Sequence, residues 1–349
     1  MNENGNRKSP SKKKKPTSSG RLYNSEELVA GIRGNTIAAL SKAITLVEST
    51  KPEHQAIANR IIELCLTEKQ KTLRIGITGV PGVGKSTFIE SFGKLLTKRG
   101  NKVSVLTVDP TSSKTKGSIL GDKTRMQELV QDPNAFIRPS PSGDSLGGVT
   151  RKTRESIILL EAAGYNIIII ETVGVGQSET AVHSMVDFFL LLKLSGAGDE
   201  LQGIKRGIME MADAVAINKA DGENLKAAKL AEVEFRRALQ LFPPKENGWT
   251  PKVMRCSALE HTGLEPIWEV IQEFVETSKA NGYFERNRQE QNRSWLIQHI
   301  EQSLKNDFNQ DPKVKTMLPD LEQKVMLGTL SPFNAARQLL AVYRRTENT

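Results

Sequence analysis

Gly79-Val80-Pro81-Gly82-Val83-Gly84-Lys85-Ser86-Thr87 satisfies G-x-x-x-x-G-K-[ST], the pattern of a loop whose backbone wraps a phosphate. Before it, Leu73-Arg74-Ile75-Gly76-Ile77-Thr78 reads as a short buried strand. After it, Phe88, Phe92 and Leu95 recur at spacings of four and three, which predicts a helix with one apolar face. The flanks turn a pattern match into a site, because the glycines let backbone N–H groups curl around a phosphate. The helix N-terminus adds its partial positive charge. Lys85 is placed to reach the β- and γ-phosphates, and the Ser86 hydroxyl to complete a Mg²⁺ shell. The ligand expected here is a nucleoside triphosphate.

Working outward, residues 71–280 alternate strand and helix. Lys102 to Val108 reads as a strand ending at Asp109, and Tyr165 to Ile170 as a β-branched run of the kind buried on both faces. Phe188 to Leu194, Ala214 to Ile217 and Lys252 to Cys256 supply three more strands, and a helix runs from Leu264 to about Val275. This is the pattern of an α/β fold, a P-loop nucleotide-binding domain with a mostly parallel sheet flanked by helices. Ligands of such sheets lie beyond the carboxyl ends of the strands.

Two further motifs sit at strand ends. Asn218-Lys219-Ala220-Asp221 follows the strand Ala214–Ile217 and matches N-K-x-D. A carboxylate at Asp221 can accept from both N1–H and N2–H₂ of guanine, whereas adenine offers neither donor. Asn218 is expected to tie the loops together, and the Lys219 stem to lie along the base. Ser257-Ala258-Leu259, after the last strand, can direct a backbone N–H at guanine O6, where adenine would set donor against donor. The nucleotide is therefore expected to be GTP, with GDP as product.

Glu171-Thr172-Val173-Gly174 stands where most GTPases have D-x-x-G. Glu171 can hold Mg²⁺ directly or through water, and the Gly174 N–H can sense the γ-phosphate. Asp109, before Pro110, and Asp122, in the following loop, are placed to join it, since Mg²⁺ takes a few carboxylates plus waters and phosphate oxygens. For Asp122, a solvated loop acid is an equal reading.

The charge and composition of the chain narrow its partners. The 349 residues carry a net charge of +9, but residues 1–20 hold six basic side chains against Glu3, leaving +4 for the other 329. The excess thus belongs to a tail read as disordered, not to a basic face for nucleic acid. The longest apolar run, near Asp187 to Leu192, is interrupted by Lys193, so no membrane span is expected. The two cysteines, Cys65 and Cys256, offer no disulfide framework, and the chain reads as cytoplasmic. His54, His183, His261 and His299 are scattered and suggest no cofactor ligand.

The remaining segments read as helical. Residues 21–70 form an N-terminal extension, with Ile37, Leu40, Ile44 and Val47 on one face, then Ile57, Ile61, Ile62 and Leu64. Residues 281–349 divide into Glu285 to Lys305, Leu318 to Leu327 and Pro332 to Arg345. Trp295, Ile297 and Ile300 suggest one stripe there, and Phe333, Ala336, Leu339, Leu340 and Tyr343 another. These helices either pack on their own domain or form a surface for a second subunit, and periodicity leaves the two even.

Together the motifs resemble the methylmalonyl-CoA mutase-associated GTPases of the MeaB/ArgK type. The resemblance rests on Gly79–Thr87, Val108-Asp109-Pro110-Thr111-Ser112, Gly117 to Met126, Glu171-Thr172-Val173-Gly174-Val175-Gly176-Gln177-Ser178-Glu179 and Asn218–Asp221. Ala43 to Ser49 and Leu146 to Val149 extend it, from about residue 22 to the C-terminus. It implies a homodimeric GTPase that chaperones an adenosylcobalamin-dependent acyl-CoA mutase, gating cofactor delivery and protecting or reactivating the mutase. By motif, Lys85 binds phosphate and Ser86, Asp109, Asp122 and Glu171 form the Mg²⁺ and water shell. Asn218, Lys219 and Asp221 read guanine. Segments 109–126, 171–180 and 196–205 are the implied switches, and the C-terminal helices a dimerisation arm. Val175 follows Gly174 where a Ras-like enzyme has its water-orienting glutamine, so intrinsic hydrolysis is expected to be slow and partner-stimulated.

Rival readings are a metal-delivery GTPase, which usually carries a His-rich tract or paired cysteines, and a binding module in which GTP turnover is incidental. The guanine-reading set argues against an amino-acid-transport ATPase or kinase.

Overall fold

In the computed structural model the described residues are 24–66, 71–108, 126–139, 146–172, 178–195 and 206–346. The strands are β1 (Leu73–Gly79), β2 (Val103–Val108), β3 (Ala135–Arg138), β4 (Ile167–Thr172), β5 (Phe188–Lys193), β6 (Ala214–Ile217) and β7 (Lys252–Arg255). They form one seven-stranded parallel sheet in the order β3-β2-β4-β1-β5-β6-β7. The chain crosses from β4 to β5 over the end of β1, so the crevice between the two half-sheets opens where β1 runs into the glycine loop.

The isoleucine run in β4 shows why the first four positions of this strand are all apolar. Ile167 and Ile169 pack into the core on one face, and Ile168 and Ile170 into the core on the other. On the first face lie α4 (Lys85–Lys98) and α10 (Leu264–Ala280). Phe88 and Phe92 of α4 stack at 5.4 Å, and Phe92 meets Trp268 of α10 edge-on. On the second face lie α1 (Ser25–Arg33), α2 (Ile37–Glu48), α3 (Pro52–Cys65) and α6 (Leu146–Ala162). A third hydrophobic cluster is built on α9 (Leu225–Leu239), against β6 and β7. Among the described residues the domain also has three short helices, α5 (Gln127–Val130), α7 (Ser178–His183) and α8 (Arg206–Met211).

Two elements exceed what periodicity indicates. The α1 helix is absent from that reading. It begins at Asn24, whose side chain caps it by accepting from Glu26 N–H at 3.0 Å. The β3 strand is only four residues long and closes one edge of the sheet against β2.

The C-terminal region is α11 (Tyr283–Gln310), α12 (Pro312–Met326) and α13 (Pro332–Thr346). Here the structure corrects two boundaries and splits two stripes. Asp311 caps α12 by accepting from Lys313 and Val314 N–H at 2.8 and 2.9 Å, so the helix starts before Leu318 and runs through Pro319. The Trp295–Ile297–Ile300 stripe is not a single face. Trp295 packs on the domain, whereas Leu296, Ile297, Ile300 and Leu304 are exposed. The seam toward the domain is instead largely polar. Arg288 pairs bidentately with Asp187 at 2.7 and 2.8 Å, and Gln291 Nε2 donates to Val186 O at 2.8 Å. The second stripe divides likewise: Leu339 and Tyr343 pack within the α12–α13 hairpin, while Phe333, Ala336 and Leu340 face outward. No described helix is long and apolar enough to cross a membrane.

Candidate active site

The phosphate loop leaves β1 at Gly79 and enters α4 at Lys85. Gly84 holds φ +90°, and a Cβ there would press against Asn218 Nδ2 at 2.9 Å, so only glycine suits both the turn and the packing. At Gly79 a Cβ would lie 2.6 Å from Leu192 O, the close approach that seats the loop against β5. Val83 is buried and anchors the loop to the core. Pro81, Gly82 and Thr87 are exposed, and Val80 and Ser86 are half-buried.

Lys85 Nζ donates to Gly79 O at 2.8 Å and Val80 O at 3.2 Å, folding the ammonium across its own loop. Burial holds the Lys85 pKa below its ordinary value, and the carboxylates of Glu171 and Glu179 pull against that. Glu171 is buried near the end of β4, in register with Ile77 of β1 and Thr107 of β2. Next to it, Thr172 Oγ1 donates to Thr78 Oγ1 at 2.8 Å, lashing the ends of β4 and β1 together.

On the other side of the loop, Asn218 is fully engaged. Its Nδ2 donates to Val83 O at 2.8 Å, while its Oδ1 accepts from Ala258 N–H at 3.2 Å and from the Cys256 thiol at 3.6 Å. One side chain therefore joins the phosphate loop, the end of β6 and the turn after β7. Burial pushes the Cys256 thiol up to about 12, so it serves as a donor and not as a nucleophile. Lys219 is exposed with φ +56°, and Ala220 N–H reaches Cys256 O at 3.0 Å. The Ser257 hydroxyl donates to Asp221 Oδ2 and accepts from Glu260 N–H at 3.0 Å, which fixes the carboxylate. In the Ser257–Leu259 turn, Ser257 N–H is spent on Thr262 O and Ala258 N–H on Asn218, while exposed Leu259 keeps its N–H without a partner among the described residues.

The donor set suits a Mg–nucleotide. The glycine loop offers backbone N–H groups and one ammonium, and Ser86 and Glu171 bring two oxygen ligands toward the same end. No three His, Cys, Asp or Glu residues gather into a metal-binding group among the described residues. Mg²⁺ bound with phosphate oxygens and waters does not require such a cage.

A family profile, "Methylmalonyl Co-A mutase-associated GTPase MeaB", matches residues 40–313. The chain belongs to this family. It is 45% identical over 313 residues to the GTPase ArgK of Escherichia coli (strain K12), covering 90% of this chain and 95% of that relative. It is 46% identical over 329 residues to the mitochondrial methylmalonic aciduria type A homolog of Mus musculus, covering 91% of this chain and 79% of the relative. Among solved structures, a LAO/AO transport system kinase superposes with a TM-score of 0.72 at 38% identity, over 92% of this chain and 97% of that one. The MeaB-family chain is thus a P-loop GTPase.

Within this MeaB-family fold, Lys85, Ser86 and Glu171 converge on one end of β1 and β4, and Asn218, Lys219, Asp221 and Ser257–Leu259 on the neighbouring ends of β6 and β7. Asp109, Asp122 and Gly174 lie outside the described residues, as do 109–125 of segment 109–126, 173–177 of segment 171–180 and all of 196–205. Motif reading leaves Glu179 without a role. It is buried on α7 and acts electrostatically on Lys85. Its only sequence signal is the second acid in the Glu171–Glu179 stretch.

Asn218→Ala should be costly. It strands Val83 O and Ala258 N–H in a buried setting at about 1–3 kcal/mol each. Differential scanning calorimetry is expected to show a loss of about 2–6 kcal/mol, together with weakened GDP affinity.

Proposed function

We propose that the chain is a GTP-hydrolysing chaperone of an adenosylcobalamin-dependent acyl-CoA mutase, methylmalonyl-CoA mutase in the first instance. In this reading it gates cofactor loading and protects or reactivates the mutase. The observation that carries this is the family match, whose description names association with that mutase, over most of the chain.

The geometry supports the first half of the reading. Asp221, held by Ser257, accepts from the guanine N1–H and N2–H₂ edge, and the Ser257–Leu259 turn presents an N–H to O6. On triphosphate binding, Lys85 exchanges two neutral carbonyl partners for phosphate oxygens, a stronger charge-assisted pairing. Ser86 and Glu171, with Asp109 and Asp122, hold Mg²⁺, which when bound neutralises charge on the β- and γ-oxygens. Gly174 N–H senses the γ-phosphate. Lacking a glutamine directly after Gly174, the chain turns over slowly alone, and the mutase accelerates it by ordering the loops around the phosphate.

A homodimer fits the C-terminal helices, where Leu296, Ile297, Ile300, Leu304, Phe333 and Leu340 expose apolar side chains. Residues 71–280 then act as the GTPase unit and 281–349 as the dimerisation region, in a cytoplasmic protein.

The test compares GTP hydrolysis alone and with saturating purified methylmalonyl-CoA mutase. The expected result is a rate increase of about ten-fold or more, with a complex whose stability differs between GDP and a non-hydrolysable GTP analogue. An unchanged rate and no detectable complex would remove the chaperone reading while leaving the GTPase intact.

A further inference from the structure

A cavity of about 460 Å³ lies between α6 and α11, and none of its lining residues belongs to the nucleotide site. That volume falls within the range of about 300–1,000 Å³ common for small-molecule sites. Trp295 and Ile158 provide apolar wall, and Arg151, Arg154 and Lys305 set against Glu155 and Glu301 leave the lining with one net positive charge. The first turn of α6, a 17-residue helix, stands at one end and adds its positive dipole.

Arg154 is the anomaly. It is only 7% exposed, with its guanidinium 4.8 Å from the centre of the Trp295 ring. Its two Nη atoms donate to Gln298 Oε1 at 2.8 Å and Ser184 Oγ at 3.0 Å, both neutral. Its Nε–H is buried without an acceptor among the described residues. The other deeply set arginines are treated differently: Arg74 is paired with Glu161 at 2.8 Å, and Arg288 with Asp187 at 2.7 Å. Among the described residues no carboxylate pairs with Arg154. Burial pushes its pKa down only to about 10, so it stays charged near neutrality.

The wall carboxylates do not cancel that charge. Glu155 is engaged by Arg151 at 2.8 Å, and Glu301 balances Lys305 in net charge only, so the charge of Arg154 is the excess. A buried cation lacking its counter-ion is strongly unfavourable unless something supplies one.

We propose that this cavity binds a small organic anion, a carboxylate or a phosphate ester, whose charged group pairs with Arg154 and whose apolar body lies against Trp295 and Ile158. The guanidinium fork matches the oxygens of either group. Because Arg154 also holds Ser184, just beyond α7, and Gln298 of α11, the ligand would bear on the joint between the GTPase core and the C-terminal helix.

The test is calorimetric titration of the full-length, GDP–Mg²⁺-loaded protein with hexanoate and with phenyl phosphate at fixed ionic strength, with tryptophan emission followed in parallel. Saturable binding of at least one probe is expected, and the tighter one identifies the anion class. Arg154→Gln should weaken it ten-fold or more, and Lys305→Glu, on the exposed rim, several-fold. Excess GDP–Mg²⁺ should not displace the bound probe, which separates the cavity from the phosphate loop. No saturable binding of either probe, full affinity in Arg154→Gln, or displacement of the probe by GDP–Mg²⁺ would overturn the proposal. Should circular dichroism show that Arg154→Gln does not fold, Lys305→Glu decides, and wild-type affinity there overturns it equally.

Discussion

Lys85→Ala is expected to weaken GTP binding by about 10²- to 10⁴-fold, with little loss of fold stability. Without nucleotide, the ammonium is satisfied by Gly79 O and Val80 O, and both carbonyls sit in a partly exposed loop. Water can replace the ammonium there, so the apo protein loses little. With a triphosphate present, the same ammonium is expected to bridge two phosphate groups. Hydrogen bonds to charged groups contribute about 1.5–3 kcal/mol each. Two of them correspond to that fold-change at about 1.4 kcal/mol per decade. The burial that lowers the Lys85 pKa also strengthens its pull on an incoming anion, by limiting water. Equilibrium dialysis with GTP, alongside a thermal melt of the apo protein, measures both halves. Near-wild-type affinity with a cooperative melt would show that Lys85 does not hold the phosphates.

Asp221→Asn is expected to reverse the base preference. The Ser257 hydroxyl donates to Asp221 Oδ2, and an asparagine carbonyl can accept that same bond. The amide NH₂ must then point at the base, where guanine presents N1–H and N2–H₂. Donor meets donor, and affinity for GTP should fall by about 10²- to 10⁴-fold, since a mismatch of fixed polar groups discriminates strongly. Xanthosine carries a C2 carbonyl where guanosine carries its amine, so the variant should bind xanthosine triphosphate in preference to GTP. Competition binding with guanosine, xanthosine and adenosine triphosphates reads this directly. An unaltered nucleotide profile would mean that the carboxylate does not face the base.

Much of this site was legible because its signals are local in the chain. The loop Gly79–Thr87 carries its own glycines, its lysine and the start of its helix within nine residues. The run Ile167–Ile170 announces a strand buried on both faces, because each residue must fill one of two cores. Asn218 was readable as a tie between loops, though its acceptor, Val83 O, is a backbone atom that no motif specifies. The α1 helix and β3 strand were not legible. The first is mixed in composition and depends on Asn24 for its start, and the second is too short to show a period.

The C-terminal helices show where periodicity misleads. Hydrophobic spacing marks Trp295, Ile297 and Ile300 as partners, yet α11 meets the domain through Arg288, Gln291 and Trp295. A seam can be polar when the opposing surface offers Asp187 and the Val186 carbonyl, and nothing within α11 reports what stands opposite.

By itself, then, the sequence determined the phosphate-loop pattern, the alternation of strand and helix and the Asn218–Asp221 motif at a strand end, all of which follow from neighbours a few bonds apart. Tertiary structure alone decided that Lys85 lies under the influence of both Glu171 and Glu179, that Asn218 clasps three segments, and that Arg154 is buried beside a cavity with no carboxylate paired to it among the described residues. Charge balance and burial depend on which distant side chains arrive at one place, and only the packed sheet and its helices bring them there.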